Sequence, residues 1–240
     1  MNNVPNSQRR RLDRAQVVEI VGPAGAGKTT LYQALDCRTE SIRLGNFPDV
    51  RKIPDAPFFI SNGIQLIPNL LRIYRRKSRQ LTRREFAWMT ILSGWSALLR
   101  NEKKNGSRAI ILDQGPVYLI AEMQLFGPGY LRQKSAEYLW QNFYNCWRTT
   151  LDMVVWLDAP NEVLLNRIRT RPQEHIMKSE PGTMVYEFLD RYRTEYEFIL
   201  SILTANMSSL KVLRFDTGSQ KPQEIMNQFL SELSCGTKVI

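Results

Sequence analysis

Four groups of residues have types and spacings that could do chemistry together. The first is Gly22-Pro23-Ala24-Gly25-Ala26-Gly27-Lys28-Thr29, which contains G-x-x-x-x-G-K-T in full. A polyphosphate carries several negative charges and needs many donors converging on it. Closely wrapped glycine backbone supplies inward-pointing N–H groups, and the helix that should begin near Lys28 adds its positive dipole end. In this pattern Lys28 reaches the β- and γ-phosphates, the Thr29 hydroxyl ligates Mg²⁺, and the stretch from Gly22 to Thr30 as a whole binds the nucleotide. The second group is Asp113, an acid that ends the apolar run Ala109-Ile110-Ile111-Leu112. Placed there, a carboxylate can hold Mg²⁺ directly or through water, orient an attacking hydroxyl, or simply cap the turn that follows.

The third group is Arg167, Arg169 and Arg171. Guanidinium groups stabilise charge developing on a transferring phosphoryl group, and a mobile loop lets them close after substrates bind. Arg167 and Arg171 are four apart and share a helix face, whereas Arg169 points elsewhere. The fourth is Asp216-Thr217-Gly218, placed to lie beside the base and ribose of a donor nucleotide, or equally to form a turn with a helix start at Ser219.

Such groups need rigid elements to hold them. Val17 to Val21 precedes the glycine turn as an apolar strand. Arg108 to Asp113, Met153 to Asp158 and Leu210 to Asp216 read as further buried strands, and Ser41 to Leu44 as a short one. Near-continuous apolar runs that end in an acid are characteristic of buried parallel strands whose carboxyl ends face a ligand. Between them, Leu31, Ala34 and Leu35 mark a first helix, and Trp88, Ile91, Leu92, Trp95, Leu98 and Leu99 a long amphipathic one. On that apolar stripe Trp88 and Trp95 read as core rather than as base-stacking platforms. Helix is expected from Ile64 to Tyr74, started or interrupted at Pro68, with Pro54 and Pro57 keeping the preceding stretch irregular. Phe126 to Gly129 reads as a loop. Leu139, Phe143, Cys146 and Trp147 mark another helix, and helices follow Pro160 and the polar loop from Pro172 to Gly182. A closing helix carries Ile225, Phe229 and Leu233.

At 240 residues, with 43% hydrophobic and 23% charged residues, the chain suits one α/β domain. Residues 1 to 15, polar and arginine-rich, read as a disordered leader, and residues 16 to 240 as the domain. No apolar run is long enough to span a bilayer. Cys37, Cys146 and Cys235 are odd in number and widely spaced, which fits a reducing cytoplasm better than a disulfide framework, and the single histidine, His175, leaves no His-rich metal site. The net charge of +10 suits a polyanionic partner.

At this point the chain resembles the thymidylate kinase-like nucleoside and nucleotide kinases. The resemblance rests on Gly22 to Thr30, on Asp113, on the strand-then-helix run from Val154 to Arg171, and on Phe215-Asp216-Thr217. It implies a P-loop NTPase three-layer sandwich with a parallel five-stranded sheet in order 2-3-1-4-5 and helices on both faces. It further implies ATP and Mg²⁺ at the donor site, an acceptor-side helical region over about residues 45 to 105, and a closing lid over 167 to 182. The acceptor would be a small hydroxyl or monophosphate compound, a nucleoside or nucleotide among the candidates, with a homodimer left open. The family commonly carries an arginine after the strand-end acid. Gln114-Gly115-Pro116 stands there instead, and neutral Gln114 offers no charged fork to a monophosphate. The family's arginine-containing signature after the second strand is replaced by Leu44-Gly45-Asn46-Phe47-Pro48. A competing reading is a P-loop ATPase or regulatory nucleotide-binding protein whose basic run, Arg72, Arg75, Arg76, Lys77, Arg79, Arg83 and Arg84, grips nucleic acid. It is the less favoured, because only Tyr74 is interleaved as an aromatic.

Overall fold

Each apolar run that ends in an acid does become a strand. The computed structural model describes residues 15–36, 42–45, 47–74, 79–105, 109–205 and 209–235. The leader up to residue 14, Cys37, and Arg75, Arg76 and Lys77 of the basic run lie outside the described residues. Strands β1 (Gln16–Val21), β2 (Ile42–Leu44), β3 (Ala109–Leu112), β4 (Met153–Asp158) and β5 (Lys211–Asp216) form one sheet in the order β2-β3-β1-β4-β5. Every pairing is parallel: Gln16 lies opposite Ala109, Val18 opposite Met153, Ile42 opposite Ala109, and Met153 opposite Lys211.

Side chains alternate across a strand, so the sheet divides the apolar residues into two cores. Val17, Ile110, Leu112, Val154 and Trp156 point into one. That side is covered by α2 (Ala56–Ile73), α3 (Arg83–Glu102), α4 (Pro116–Phe126), α5 (Glu137–Arg148) and the C-terminal half of α7 (Gly182–Thr204). Val18, Ile20, Ile111, Val155 and Leu157 point into the other. There they meet α1 (Lys28–Asp36), α6 (Asn161–Thr170), the first turns of α7, and α8 (Pro222–Cys235). The result is a three-layer sandwich with helices on both faces.

Trp95 is core, edge-on to the buried Trp147, whose indole N–H donates to the Leu92 carbonyl. Trp88 is half-buried, with the Arg84 guanidinium 4.3 Å above its ring. α3 opens with a capping box in which Thr82 and Glu85 satisfy each other's backbone N–H groups.

Several boundaries differ from expectation. Pro54 and Pro57 do not keep their stretch irregular. A short 3₁₀ turn spans Ile53–Asp55, and α2 begins at Ala56 with a proline in its first turn, where the missing N–H has no in-helix acceptor anyway. α2 then runs through Pro68 without a break in assignment. Phe126 closes α4 rather than opening a loop, and α4 itself has no counterpart in the expected elements. The last helix begins at Pro222, not Ser219, because Thr217 to Gln220 form turns and a bend first.

Candidate active site

The glycine loop joins the end of β1 to α1 at the carboxyl edge of the sheet. Gly22, Gly25 and Gly27 adopt φ of 151°, 83° and 90°. At Gly27 a side chain would have free space, so it is the backbone conformation, left-handed and costly for any other residue, that calls for glycine there. The first N–H groups of α1, beginning at Lys28, have no acceptor within the helix and form the loop's donor face. The Lys28 ammonium donates to the Gly22 carbonyl (2.6 Å) and the Pro23 carbonyl (3.0 Å). Burial lowers its pKa to about 8; the Asp113 carboxylate opposes this shift and the Arg171 guanidinium adds to it.

A cavity of about 700 Å³ opens over this loop. Ala24 to Thr30 line one side, while Arg167, Arg171, Thr217 and Gln220 come from two other segments. Arg167 bridges the segments. Its guanidinium donates to the Gly25 carbonyl (3.3 Å), the Thr217 hydroxyl (2.8 Å) and the Thr217 carbonyl (2.7 Å). Arg171, just past the end of α6, also faces the cavity, and its Nε is buried without a hydrogen-bond partner among the described residues. A buried guanidinium N–H with no acceptor, on the wall of a glycine-loop cavity, fits an anionic ligand. Arg169 does not line the cavity and reaches the Glu180 carbonyl instead. The irregular segment from residue 171 to 181 connects α6 to α7 over this region.

Asp113 lies just past β3, half-buried and outside the cavity lining. Burial raises its pKa, and Lys28 partly counters that. Thr29 is exposed within the cavity. Among the described residues no three His, Cys, Asp or Glu side chains gather as a metal cluster. One hydroxyl and one carboxylate are nevertheless hard oxygen donors of the kind Mg²⁺ takes when phosphates and waters complete its shell. The donor set therefore fits that ion.

Of the remaining expected residues, Gly22, Pro23 and Asp216 lie off the cavity wall. Asp216 is exposed and occupied with its own turn, accepting from the Gly218 N–H (2.8 Å) and the Ser219 hydroxyl (2.9 Å). Its neighbour Thr217 faces the cavity and anchors to the Asp158 carbonyl through both N–H (2.7 Å) and hydroxyl (3.0 Å).

Three features had no site role in the sequence reading. His175 sits close enough to Arg171 and Lys28 that, after burial, both cations depress its pKa. Its one sequence signal is its place in the loop after the arginines. Glu19, in the middle of β1, is wholly buried, and its carboxylate accepts the Val117 and Tyr118 N–H groups at 2.9 Å each. It thereby clamps the first turn of α4, directly after Asp113-Gln114-Gly115. Finally, Tyr192 donates to Glu122, and Tyr118 stands beside the same carboxylate; burial and then Glu122 push both phenols above the ordinary range. Arg84 and Asp113 also act on Tyr118.

No family model matches the chain, and no curated protein matches it in sequence. Solved structures do match. Deoxyadenosine kinase from M. mycoides, with products dCMP and a flexible dCDP bound, aligns at a TM-score of 0.51 and 16% identity, over 92% of this chain and 100% of that one. Thymidylate kinase from Candida albicans aligns at 0.53 and 16% identity, over 95% of each. The fold is that of the thymidylate kinase-like nucleoside and nucleotide kinases, with the five-stranded parallel sheet and strand order expected of it. Among the described residues no helix is long and apolar enough to cross a membrane.

Proposed function

We propose that this chain is an ATP- and Mg²⁺-dependent phosphotransferase that passes the γ-phosphoryl group to a small acceptor, a nucleoside or nucleoside monophosphate. The observation that carries the reading is the convergence of Lys28 from the glycine loop and Arg167 and Arg171 from α6 and its C-terminal end on one cavity floored by that loop. The Asp113 carboxylate, just past β3, acts electrostatically on Lys28. Thr29 and Asp113 would hold Mg²⁺, which when bound neutralises charge on the phosphate oxygens.

The chain's own residues carry the rest. The glycine loop and the start of α1 bind the β- and γ-phosphates, with Lys28 leaving its carbonyl partners to meet them. Arg171 stabilises charge on the transferring group, while Arg167 holds the loop and Thr217 in register beside the donor base. The acceptor oxygen bonds to the γ-phosphorus as the bond to the β–γ bridging oxygen breaks. ADP leaves with that electron pair; where the acceptor is a hydroxyl its proton passes to the Asp113 carboxylate, and where it is a monophosphate the attacking oxygen has no proton to move. Tyr118, Glu122 and Tyr192 form the acceptor-side wall. Of the basic run, Arg79 is clamped in a two-pronged bond to Glu85 (2.8 and 2.6 Å) and Arg84 stacks on Trp88, which leaves neither free to track a nucleic-acid backbone.

The test is acceptor-dependent ADP formation across a panel of nucleosides, nucleoside monophosphates, sugars and amino-alcohols. Turnover with one acceptor class, lost in Lys28→Ala, supports the reading. ATP hydrolysis stimulated by DNA or RNA and indifferent to every small acceptor would replace it with the ATPase reading.

A further inference from the structure

Arg193, in the middle of α7, commits its whole guanidinium to the turn that follows β4 and to that turn's neighbours. Nε and Nη2 donate to the two carboxylate oxygens of Asp158 at 2.8 and 2.9 Å, a two-pronged pair with both side chains partly buried. Nη2 also donates to the Ala159 carbonyl (2.8 Å), and Nη1 to the Asp190 carboxylate (2.6 Å) and the Asn161 side chain. None of these residues lines the cavity over the glycine loop. The main chain of the same turn does reach its wall. The Asp158 carbonyl accepts both the N–H and the hydroxyl of Thr217, and Thr217 in turn accepts from Arg167. Gly218 is pressed against the turn as well: a Cβ there would stand 2.9 Å from the Pro160 Cδ. The segment from 171 to 181 is thus tied to Thr217 at both ends. Arg167 makes the tie directly from α6, and Arg193 makes it through Asp158 from α7.

We propose, resting on the reading of that cavity as a donor-nucleotide site, that Arg193 is a positioning residue for the donor. It fixes the turn from Asp158 to Pro160, and the turn fixes where Thr217 and Arg167 stand on the cavity wall. Without the fork, the Asp158 carboxylate keeps only the Ala159 N–H (2.8 Å), and the peptide whose carbonyl holds Thr217 loses its main restraint on rotation. A shift of these two wall residues weakens nucleotide binding, because affinity depends on donors and acceptors that already stand in place before the ligand arrives. It leaves Lys28, Arg171 and Asp113 where they are, so the chemical step is affected less. Lysine is a poor substitute for Arg193. Its ammonium is a point charge without a planar fork, and it cannot match both Asp158 oxygens in the way a guanidinium does.

Two readouts on the full chain test this: the affinity for N-methylanthraniloyl-ATP by fluorescence titration, and amide hydrogen exchange of peptides covering residues 216 to 220. Arg193→Ala is expected to weaken nucleotide binding about tenfold while kcat at saturating nucleotide changes by less than about threefold. Exchange at Thr217 should quicken about tenfold or more, with exchange in β1 and β3 unchanged. Arg193→Lys, which keeps the cation and the helix, should show the same pattern with smaller changes, and it carries the test if Arg193→Ala does not fold. Arg193→Ala combined with Thr217→Val should bind no more weakly than the weaker of the two single variants, because both act on one contact. Lys211→Met, which breaks an ion pair with Glu232 at the other end of the last strand, should move neither readout. Faster exchange with unchanged affinity would make Arg193 a structural clamp only and overturn its role towards the donor, as would a fall in kcat with affinity unchanged. A wild type that binds no nucleotide overturns the reading of the cavity and the donor role together. A wild type that binds nucleotide while Arg193→Ala binds it equally well overturns the role of Arg193 alone.

Discussion

Glu19 and Gly115 are packed so closely that no side chain fits between them: a Cβ at Gly115 would stand 2.5 Å from the Glu19 Cδ and 2.7 Å from its Oε2. The contact joins the centre of the sheet to the turn that carries Asp113. Gly115→Ala must therefore displace a buried carboxyl or the backbone of that turn. A destabilisation of about 1–3 kcal/mol is expected, measured by urea unfolding, together with a loss of turnover larger than the loss of nucleotide affinity. A variant as stable and as active as the wild type would show that the turn does not depend on this contact.

The same carboxyl gives stability a pH dependence. Burial raises the Glu19 pKa from the ordinary 4.5 to about 8, outweighing the lowering by the N–H groups of Tyr118, Val117 and Gly115. The folded chain thus holds this proton more tightly than the unfolded one. Its contribution is full below pH 4.5 and declines as pH rises towards 8. Glu19→Gln removes the titration, so the stability difference between wild type and variant should fall by about 2–4 kcal/mol between pH 5 and pH 8. Parallel unfolding curves at the two pH values check it; an unchanged difference would mean that Glu19 stays ionised throughout.

Lys28, with its pKa lowered to about 8, is partly neutral in mildly alkaline solution. A bound polyphosphate favours the ammonium and raises that value. Binding of ATP at pH 8 to 9 is therefore expected to take up a proton, seen in calorimetry as a heat that varies with the ionisation enthalpy of the buffer. In Lys28→Arg, which keeps its charge at every working pH, the uptake should disappear.

Arg167 and Arg171 should separate in kinetics although both line the cavity. Arg167 already spends its donors on Gly25 and Thr217. Arg167→Ala is expected to raise the KM for the donor nucleotide about tenfold and to lower Tm, with kcat changed less. Arg171 has a buried donor to spare, so Arg171→Ala should lower kcat about 10²–10³-fold with little effect on folding. Reversed effects would exchange the two roles.

Asp113→Asn keeps the shape of the side chain and removes its charge and basicity. Turnover should fall by about 10²-fold or more while nucleotide still binds. Unchanged turnover with unchanged Mg²⁺ dependence would reduce Asp113 to a turn residue.

The strands were legible because parallel strands buried on both faces are near-continuous apolar runs, as in Ala109 to Leu112 and Met153 to Leu157. The glycine loop was legible because its motif is local. α4 was not. Its sequence, PVYLIAEMQLF, is apolar around most of its circumference, so it has no stripe to recognise, and Gly115-Pro116 reads as a breaker although the proline occupies the first turn. Pro54 and Pro57 misled in the same way at the start of α2. Glu19 escaped notice because its partners lie nearly a hundred residues along the chain and a single acid in an apolar strand carries no pattern. The Tyr118–Glu122–Tyr192 cluster likewise exists only once α4 and α7 are packed together, and the setting of His175 only once the loop after α6 lies near Lys28.

The position of β1 also bears on how the chain is made. It is the first strand synthesised and the central one, yet its neighbours are β3 and β4: Gln16 must await Ala109, and Val18 must await Met153. A ribosome adding roughly 5–20 residues per second takes on the order of ten seconds to deliver the second neighbour. Until Ala109 to Leu112 is made, Gln16 to Val21 has both edges unpaired, and one edge stays unpaired until β4 follows. The first strand therefore waits for both of its partners, and a holdase that shields it should raise the yield of soluble protein more than any change to the last strand of the sheet.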